Sequence, residues 1–154
     1  MEMLESRHLT TLTVAVDWKA MVDTGTNANG RRRFAPVAGG RFDGDRLAGN
    51  VLPGGADWVL NRPDGAMVID VRLPLRTDDG AGISLAYKGV MLAAPEAMAR
   101  FNRGKSLDAH EYKLRTVASF ETGDERYLWL NDIIAIGVSG PTTGDTRYVI
   151  YEIL

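Results

Sequence analysis

Apolar and polar residues alternate with a period of two along most of this chain, and small turn-forming clusters repeatedly break the alternation. "LTTLTVAVDW" (9–18) is rich in β-branched residues and predicts a first strand. "TGTNANG" (24–30) reads as turn chemistry. "RRRFAPVAGGRF" (31–42) and "RLAGNVL" (46–52) flank Asp43-Gly44, a tight-hairpin signal. Pro63-Asp64-Gly65 separates "ADWVLNR" (56–62) from "AMVIDVRLPLR" (66–76), and Asp78-Asp79-Gly80 precedes "GISLAYKGVML" (82–92). "EYKLRTVASFE", "DIIAIGVS" and "TRYVIYEIL" complete the series, the last two joined by "GPTTGD" (140–145). Connections this short leave no room for parallel crossovers and call for antiparallel pairing.

A long antiparallel sheet hides its edges by curling and closing. The pattern therefore predicts an all-β fold: an antiparallel up-and-down β-barrel of about eight or nine strands in one domain spanning 1–154. Pro74 lies inside a strand and predicts a bulge there. One helix is expected over about 95–103, capping a barrel end. Pro95 suits its first turn, Glu96 complements its N-terminal dipole, and Gly104 suits the residue after its end. Met98 and Phe101 share a face that would plug that end, and "DERYLWLN" (124–131) suits a second helical turn.

Composition removes several functions. The formal net charge of −2 leaves no electrostatic footprint for nucleic acid, and the one basic run, Arg31-Arg32-Arg33, reads as a solvated loop or strand start. No cysteine is present, which excludes disulfides, thiolate catalysis and Cys-ligated metals. His8 and His110 lack acidic partners at metal-ligand spacing, so no metal site is expected. No apolar run approaches the ~20 residues of a membrane-spanning helix. The N-terminal "MEMLESRHLTTLTVAV" does not read as a signal peptide, and a cytoplasmic location is expected. Phosphate-cradling, dinucleotide and serine-hydrolase signatures are missing, and no cofactor is implied.

What remains is charge and aromatic surface on strands. In "VIDVRLPLR", Ile69, Val71, Leu73 and Leu75 share one face, and Asp70, Arg72, Pro74 and Arg76 the other. Periodicity leaves open which face is inside: Asp70 and Arg72 are either solvent-exposed or part of a polar cavity. In "YKLRTVASFE", Tyr112, Leu114, Thr116, Ala118 and Phe120 oppose Lys113, Arg115, Val117, Ser119 and Glu121. Tyr127, Trp129 and Asn131 suit either a ligand pocket or a barrel-end plug. Asp57 and Trp58 point to opposite faces, so only one of them can line a cavity. A carboxylate buried beside aromatic surface is pushed towards neutral pKa, while an adjacent arginine pulls it back.

"GGRFDGDRLAGNVLPGGADWVLNRPDG", "DVRLPLRTDDGAGI" and "YKLRTVASFETGDERYLWLN" together resemble the domain-of-unknown-function family numbered 3237, over roughly residues 8 to 154. The resemblance implies a small antiparallel β-barrel whose members often associate in pairs, and it brings no established active site. The family's recurring polar and aromatic positions fall at Asp57, Trp58, Asp70, Arg72, Arg115, Glu121, Tyr127, Trp129 and Asn131.

The expected function is binding of a small aromatic or carbonyl-bearing metabolite, with cofactor-independent isomerase, cyclase or lyase chemistry by proton transfer. Asp57 or Glu121 would serve as general base, and Arg72 or Arg115 would hold a carboxylate or developing enolate. Trp58, Asp70, Tyr87, Tyr112, Tyr127, Trp129 and Asn131 are the candidate ligand contacts. The alternatives are a non-catalytic ligand carrier, or a homodimeric interaction protein whose barrel is packed solid.

Overall fold

Alternating β-branched and aromatic residues let an extended chain bury one face only, and the computed structural model follows that pattern; it describes residues 2–140 and 145–154. Ten strands form: β1 (Ser6–Val16), β2 (Val22–Asn27), β3 (Gly30–Asp43), β4 (Gly49–Val51), β5 (Gly55–Asn61), β6 (Met67–Thr77), β7 (Gly82–Ala93), β8 (Tyr112–Glu121), β9 (Ile134–Ser139) and β10 (Thr146–Ile153). Their order is β1-β10-β9-β8-β7-β6, then β4 and β5 in succession beside β3, and β3 returns to β1 through Leu12–Phe42 and neighbouring pairs. The result is a closed antiparallel barrel of eight strand positions with two extra strands, as the alternation predicts. The two extra strands arise where β3 changes partners. Near one end β2 takes the place of β1, and β5 takes the place of β4.

Two local expectations are corrected. The "TGTNANG" stretch is mostly strand, because Asp23 accepts the Gly25 N–H at 2.8 Å and the resulting bulge lets β2 continue pairing with β3. Pro74 needs no bulge. Its register with Ser84 of β7 is regular, and on the other side it lies where β5 hands over to β4, its carbonyl accepting Leu52 N–H at 2.9 Å. A missing N–H costs nothing at such a gap. Of the "GPTTGD" turn, residues 141–144 lie outside the described residues.

The helix α1 (Pro95–Asn102) matches its expected place, with Pro95 in the first turn and Met98 buried. It lies at the end reached by the C-terminus of β7 and the N-terminus of β8. The opposite end is sealed by a 3-10 helix, Glu125–Asp132. Leu130 is fully buried there, and the Trp129 ring lies 5.1 Å beneath the Arg46 guanidinium. Arg46 and Arg7 in turn reach the buried Glu152 carboxylate at 2.7 and 3.0 Å and hold its pKa below the usual range. Packing is tight in this half. A Cβ on Gly49 would fall 2.1 Å from the Arg76 carbonyl oxygen and 2.6 Å from the Phe42 ring, so only glycine fits.

Candidate active site

Side-chain parity decides what the barrel encloses. Along β6 the buried positions are Met67, Ile69, Val71, Leu73 and Leu75, so Asp70 and Arg72 face outward. On β8 the buried set is Tyr112, Leu114, Thr116, Ala118 and Phe120. Arg115 and Glu121 are therefore exposed on the outer wall, and the Arg115 guanidinium donates to the Leu114 carbonyl at 2.9 Å. On β5, Trp58 is 53% exposed outside, edge-on to Phe34 with ring centroids 5.5 Å apart. Tyr127, Trp129 and Asn131 belong to the sealed end. Tyr127 donates to Asp79 at 2.9 Å, and Asn131 exchanges hydrogen bonds with the Thr122 backbone at 2.9 and 3.0 Å. None of Trp58, Asp70, Arg72, Arg115, Glu121, Tyr127, Trp129 or Asn131 reaches the interior cavity described next, because each lies on the outer parity or at the far end. Arg72, exposed and without an ion pair among the described residues, is expected to cost less than about 0.5 kcal/mol when replaced by Ala, measured by urea denaturation.

Asp57 faces inward, and it lines a cavity of about 40 Å³ that opens near α1. The polar lining comes from Arg33 on β3, Asp57 on β5, Tyr112 on β8, and Thr146 and Tyr148 on β10. Val59, Met67, Ile69 and Met91 supply apolar wall. Trp18, from a 3-10 turn whose N-terminus Asp17 caps, meets Phe101 of α1 edge-on at 6.4 Å across the mouth. Polar and apolar side chains both line it, and with a volume well below the roughly 300–1,000 Å³ of ordinary ligand pockets the cavity admits an organic molecule only if its mouth widens.

Asp57 has an unusual backbone role. β5 and β6 pair at Ala56–Arg72 and Asp57–Val71, then again at Leu60–Val68 and Asn61–Met67. Between those two stretches the Asp57 Oδ1 accepts the Asp70 N–H at 3.0 Å. The residue keeps some solvent-facing surface, yet its carboxyl group is enclosed by protein. Burial first, and the nearby Asp70 charge second, push its pKa up to about 7. The Asp70 amide, Arg33 and Arg32 oppose that rise without cancelling it.

Arg33 was not among the residues the sequence nominated. It is 5% exposed, and its guanidinium is held by neutral groups: Nη2 donates to Asn61 Oδ1 at 2.6 Å and to Asn102 Oδ1 at 2.8 Å, and Nη1 approaches the Met21 sulfur at 3.8 Å. No carboxylate pairs with it among the described residues, and its buried Nε has no hydrogen-bond partner. Burial is the main reason that its pKa falls. Part of the signal was available in the strand parity: Arg33 shares a face with the buried Ala35 and Val37 and Arg32 does not, while Arg31, of the same parity, lies at the strand's start, exposed and paired with Asp23.

Tyr148 lines the cavity, and Tyr87, a nominated ligand contact, does not: it is buried against Tyr148, their ring centroids 5.1 Å apart. Burial, with the negative charge of Asp57 nearby, raises both hydroxyls well above the ordinary tyrosine range and keeps them protonated. Tyr112 donates its hydroxyl to the Gly140 carbonyl. Among the described residues no group of three His, Cys, Asp or Glu side chains could hold a metal ion. Nor is any helix among them long and apolar enough to cross a membrane.

A closed antiparallel barrel, packed solid at one end and enclosing a carboxyl, a guanidinium and tyrosines at the other, defines the class: a small β-barrel with an interior polar cavity. The chain belongs to the family described as Protein of unknown function (DUF3237), whose model matches residues 5–153. A UPF0311 protein of Clostridium acetobutylicum is 32% identical over 125 residues, spanning 81% of this chain and 78% of that one. Another from Rhodopseudomonas palustris is 31% identical over 134 residues, covering 87% and 86%. Among solved structures, a conserved protein of unknown function from Rhodopseudomonas palustris superposes with a TM-score of 0.92 at 27% identity over the whole of both chains. A beta-barrel like protein from Acinetobacter baumannii gives 0.85 at 32% identity, covering 100% of this chain and 98% of that one. A structure described as an enzyme from Penicillium herquei shares the fold, with a TM-score of 0.70 at 19% identity over 98% and 95% of the chains.

Proposed function

We propose that the protein binds a small carbonyl-bearing or phenolic molecule in this cavity and moves a proton on it without a cofactor. One observation carries the reading: a buried carboxyl with a pKa of about 7 lines the same cavity as a buried guanidinium that forms no ion pair among the described residues. A general acid–base is most effective when its pKa lies near the working pH. Ionised Asp57 would take a proton from the carbon beside the ligand's carbonyl. The electron pair left behind moves onto the carbonyl oxygen, where Arg33 stabilises it. Return of the same proton to a different carbon completes an isomerisation and regenerates the carboxylate. Tyr148 serves as a neutral hydrogen-bond donor in the cavity. The Penicillium herquei neighbour, described as an enzyme, is consistent with catalysis on this fold, though fold alone does not specify chemistry.

The test is thermal unfolding with a panel of phenols, enones and keto acids. A ligand present at a hundredfold its dissociation constant stabilises the folded state by about 2.7 kcal/mol. Wild type and Arg72→Ala are expected to shift alike, and Arg33→Met to lose the shift. Asp57→Asn is expected to keep binding while losing exchange of the ligand's α-hydrogen with deuterated solvent, read by NMR. A panel that shifts nothing overturns the ligand site. Exchange that survives in Asp57→Asn overturns the role of Asp57 and leaves a carrier.

A further inference from the structure

We infer that the cavity also takes up planar monoanions that mimic the midpoint of the proposed reaction, the oxyanion resting on Arg33 while Asp57 is in its protonated form. The inference rests on reading the cavity as a ligand site, and it adds the ligand's charge and a coupled proton.

The geometry supplies the argument. Most arginines in this chain that make ion pairs do so on the surface: Arg31 with Asp23, Arg41 with Asp43 and Asp78, Arg62 with Asp64, Arg126 with Asp79 and Asp124. Arg33, the buried one, is held by neutral groups, the side-chain oxygens of Asn61 and Asn102 and the Met21 sulfur. Neutral amides fix the orientation of a guanidinium without spending its charge. Its remaining polarity includes a buried Nε–H with no partner, and an unmet buried donor is costly unless a ligand meets it. A planar oxyanion such as a carboxylate accepts from Nε–H and a neighbouring N–H at once.

Charge counting then fixes the state of Asp57. The titratable groups lining the cavity are Arg33 from β3, Asp57 from β5, Tyr112 from β8 and Tyr148 from β10, with the buried Tyr87 of β7 against Tyr148. From α1 come only the neutral Phe101 and Asn102, and from the mouth turn Trp18. Arg32 and Asp70 act on Asp57 from outside the barrel wall and partly offset one another. The tyrosines stay neutral. With Asp57 ionised, Arg33 and Asp57 already balance, and a bound anion would place a second negative charge in the same dry space. With Asp57 protonated, one anion balances Arg33. Like charges that close cannot both persist, so the incoming anion brings a proton to Asp57. The same arithmetic describes the midpoint of the proposed reaction, when the proton sits on Asp57 and the charge on the ligand oxygen.

Benzoate is the probe, and benzamide its neutral isostere. Both are titrated calorimetrically into the protein between pH 6 and 9, in two buffers of different ionisation enthalpy. Benzoate affinity is expected to fall about tenfold per pH unit above pH 7.5, with about one proton taken up per benzoate at pH 8.5. Arg33→Met should weaken benzoate by at least about tenfold and leave benzamide unchanged. Arg33→Lys, which keeps the charge and loses the planar fork, should fall between, and it serves if Arg33→Met fails to fold. Asp57→Asn should bind benzoate with no pH dependence in this range. Benzamide binding as tightly as benzoate, or benzoate affinity constant with pH in wild type, overturns the inference and leaves the ligand site standing. If neither probe binds and the wider panel also shifts nothing, the inference and the ligand site fall together.

Discussion

Asp57→Asn is expected to make the protein more stable at pH 8 by about 2–4 kcal/mol, an unusual outcome for a substitution at a buried polar position. The reason is the direction of its pKa shift. In the unfolded chain an aspartate ionises near 3.8, and in the fold burial moves that ionisation to about 7. Between those values the folded state holds a proton that the unfolded state has released. Stability from this group is therefore complete below about pH 4 and declines as pH rises to about 7. Above that it stays at its lower level. Asparagine keeps an oxygen to accept the Asp70 N–H and carries no charge to desolvate. The gap between variant and wild type should open from about pH 4 to 7 and remain constant above. Urea denaturation of both proteins at pH 4, 6 and 8 measures it directly. A wild type that is the more stable at pH 8 would mean that Asp57 is held ionised against Arg33, and would remove its role as a near-neutral acid–base.

The other large effect lies at the opposite end. Phe42 is fully buried, paired in register with Leu12 of β1 and Gly49 of β4, with its ring packed against the Gly49 backbone. Phe42→Ala should cost about 3–5 kcal/mol, combining lost burial with an unfilled cavity. For a chain of this size that lowers the melting temperature by roughly 6–20 °C. Ligand binding at the mouth should survive at temperatures where the variant stays folded. A loss under about 1.5 kcal/mol would show the sealed half to be loosely packed, and the division of the barrel into a filled end and a hollow end would fall.

That division matters because the two ends obey different rules. At the sealed end the buried carboxylate has partners: Glu152 lies between Arg7 and Arg46, and Arg46 covers Trp129. At the open end Asp57 and Arg33 face one cavity without forming an ion pair with each other. Unbalanced polar groups in a dry space cost stability, and proteins retain them mainly where they bind or react.

The sequence by itself determined most of the strands, their antiparallel pairing, a helix over about 95–103 and the closure of the sheet; it missed β2, concealed by the turn-like composition of 24–30. Those follow from local physics: the period-two alternation, the Gly-containing turns, and the proline and glycine that bracket α1. Parity also separated Asp57 from Trp58 and sorted β8 into two faces. What parity left open was the direction of each set, because alternation says which residues share a face and is silent on which face closes inward. Only closure of the barrel decided that. It turned Ile69 and Val71 in and Asp70 and Arg72 out, and it moved Arg115 and Glu121 to the outer wall. It drew Arg33 out of an apparently solvated basic run and into a cavity with Asp57, whose strand follows more than twenty residues later. Burial of a charge is a property of what surrounds it in space, and its neighbours here come from β3, β5, β7, β8, β10 and α1. No window along the chain contains them together.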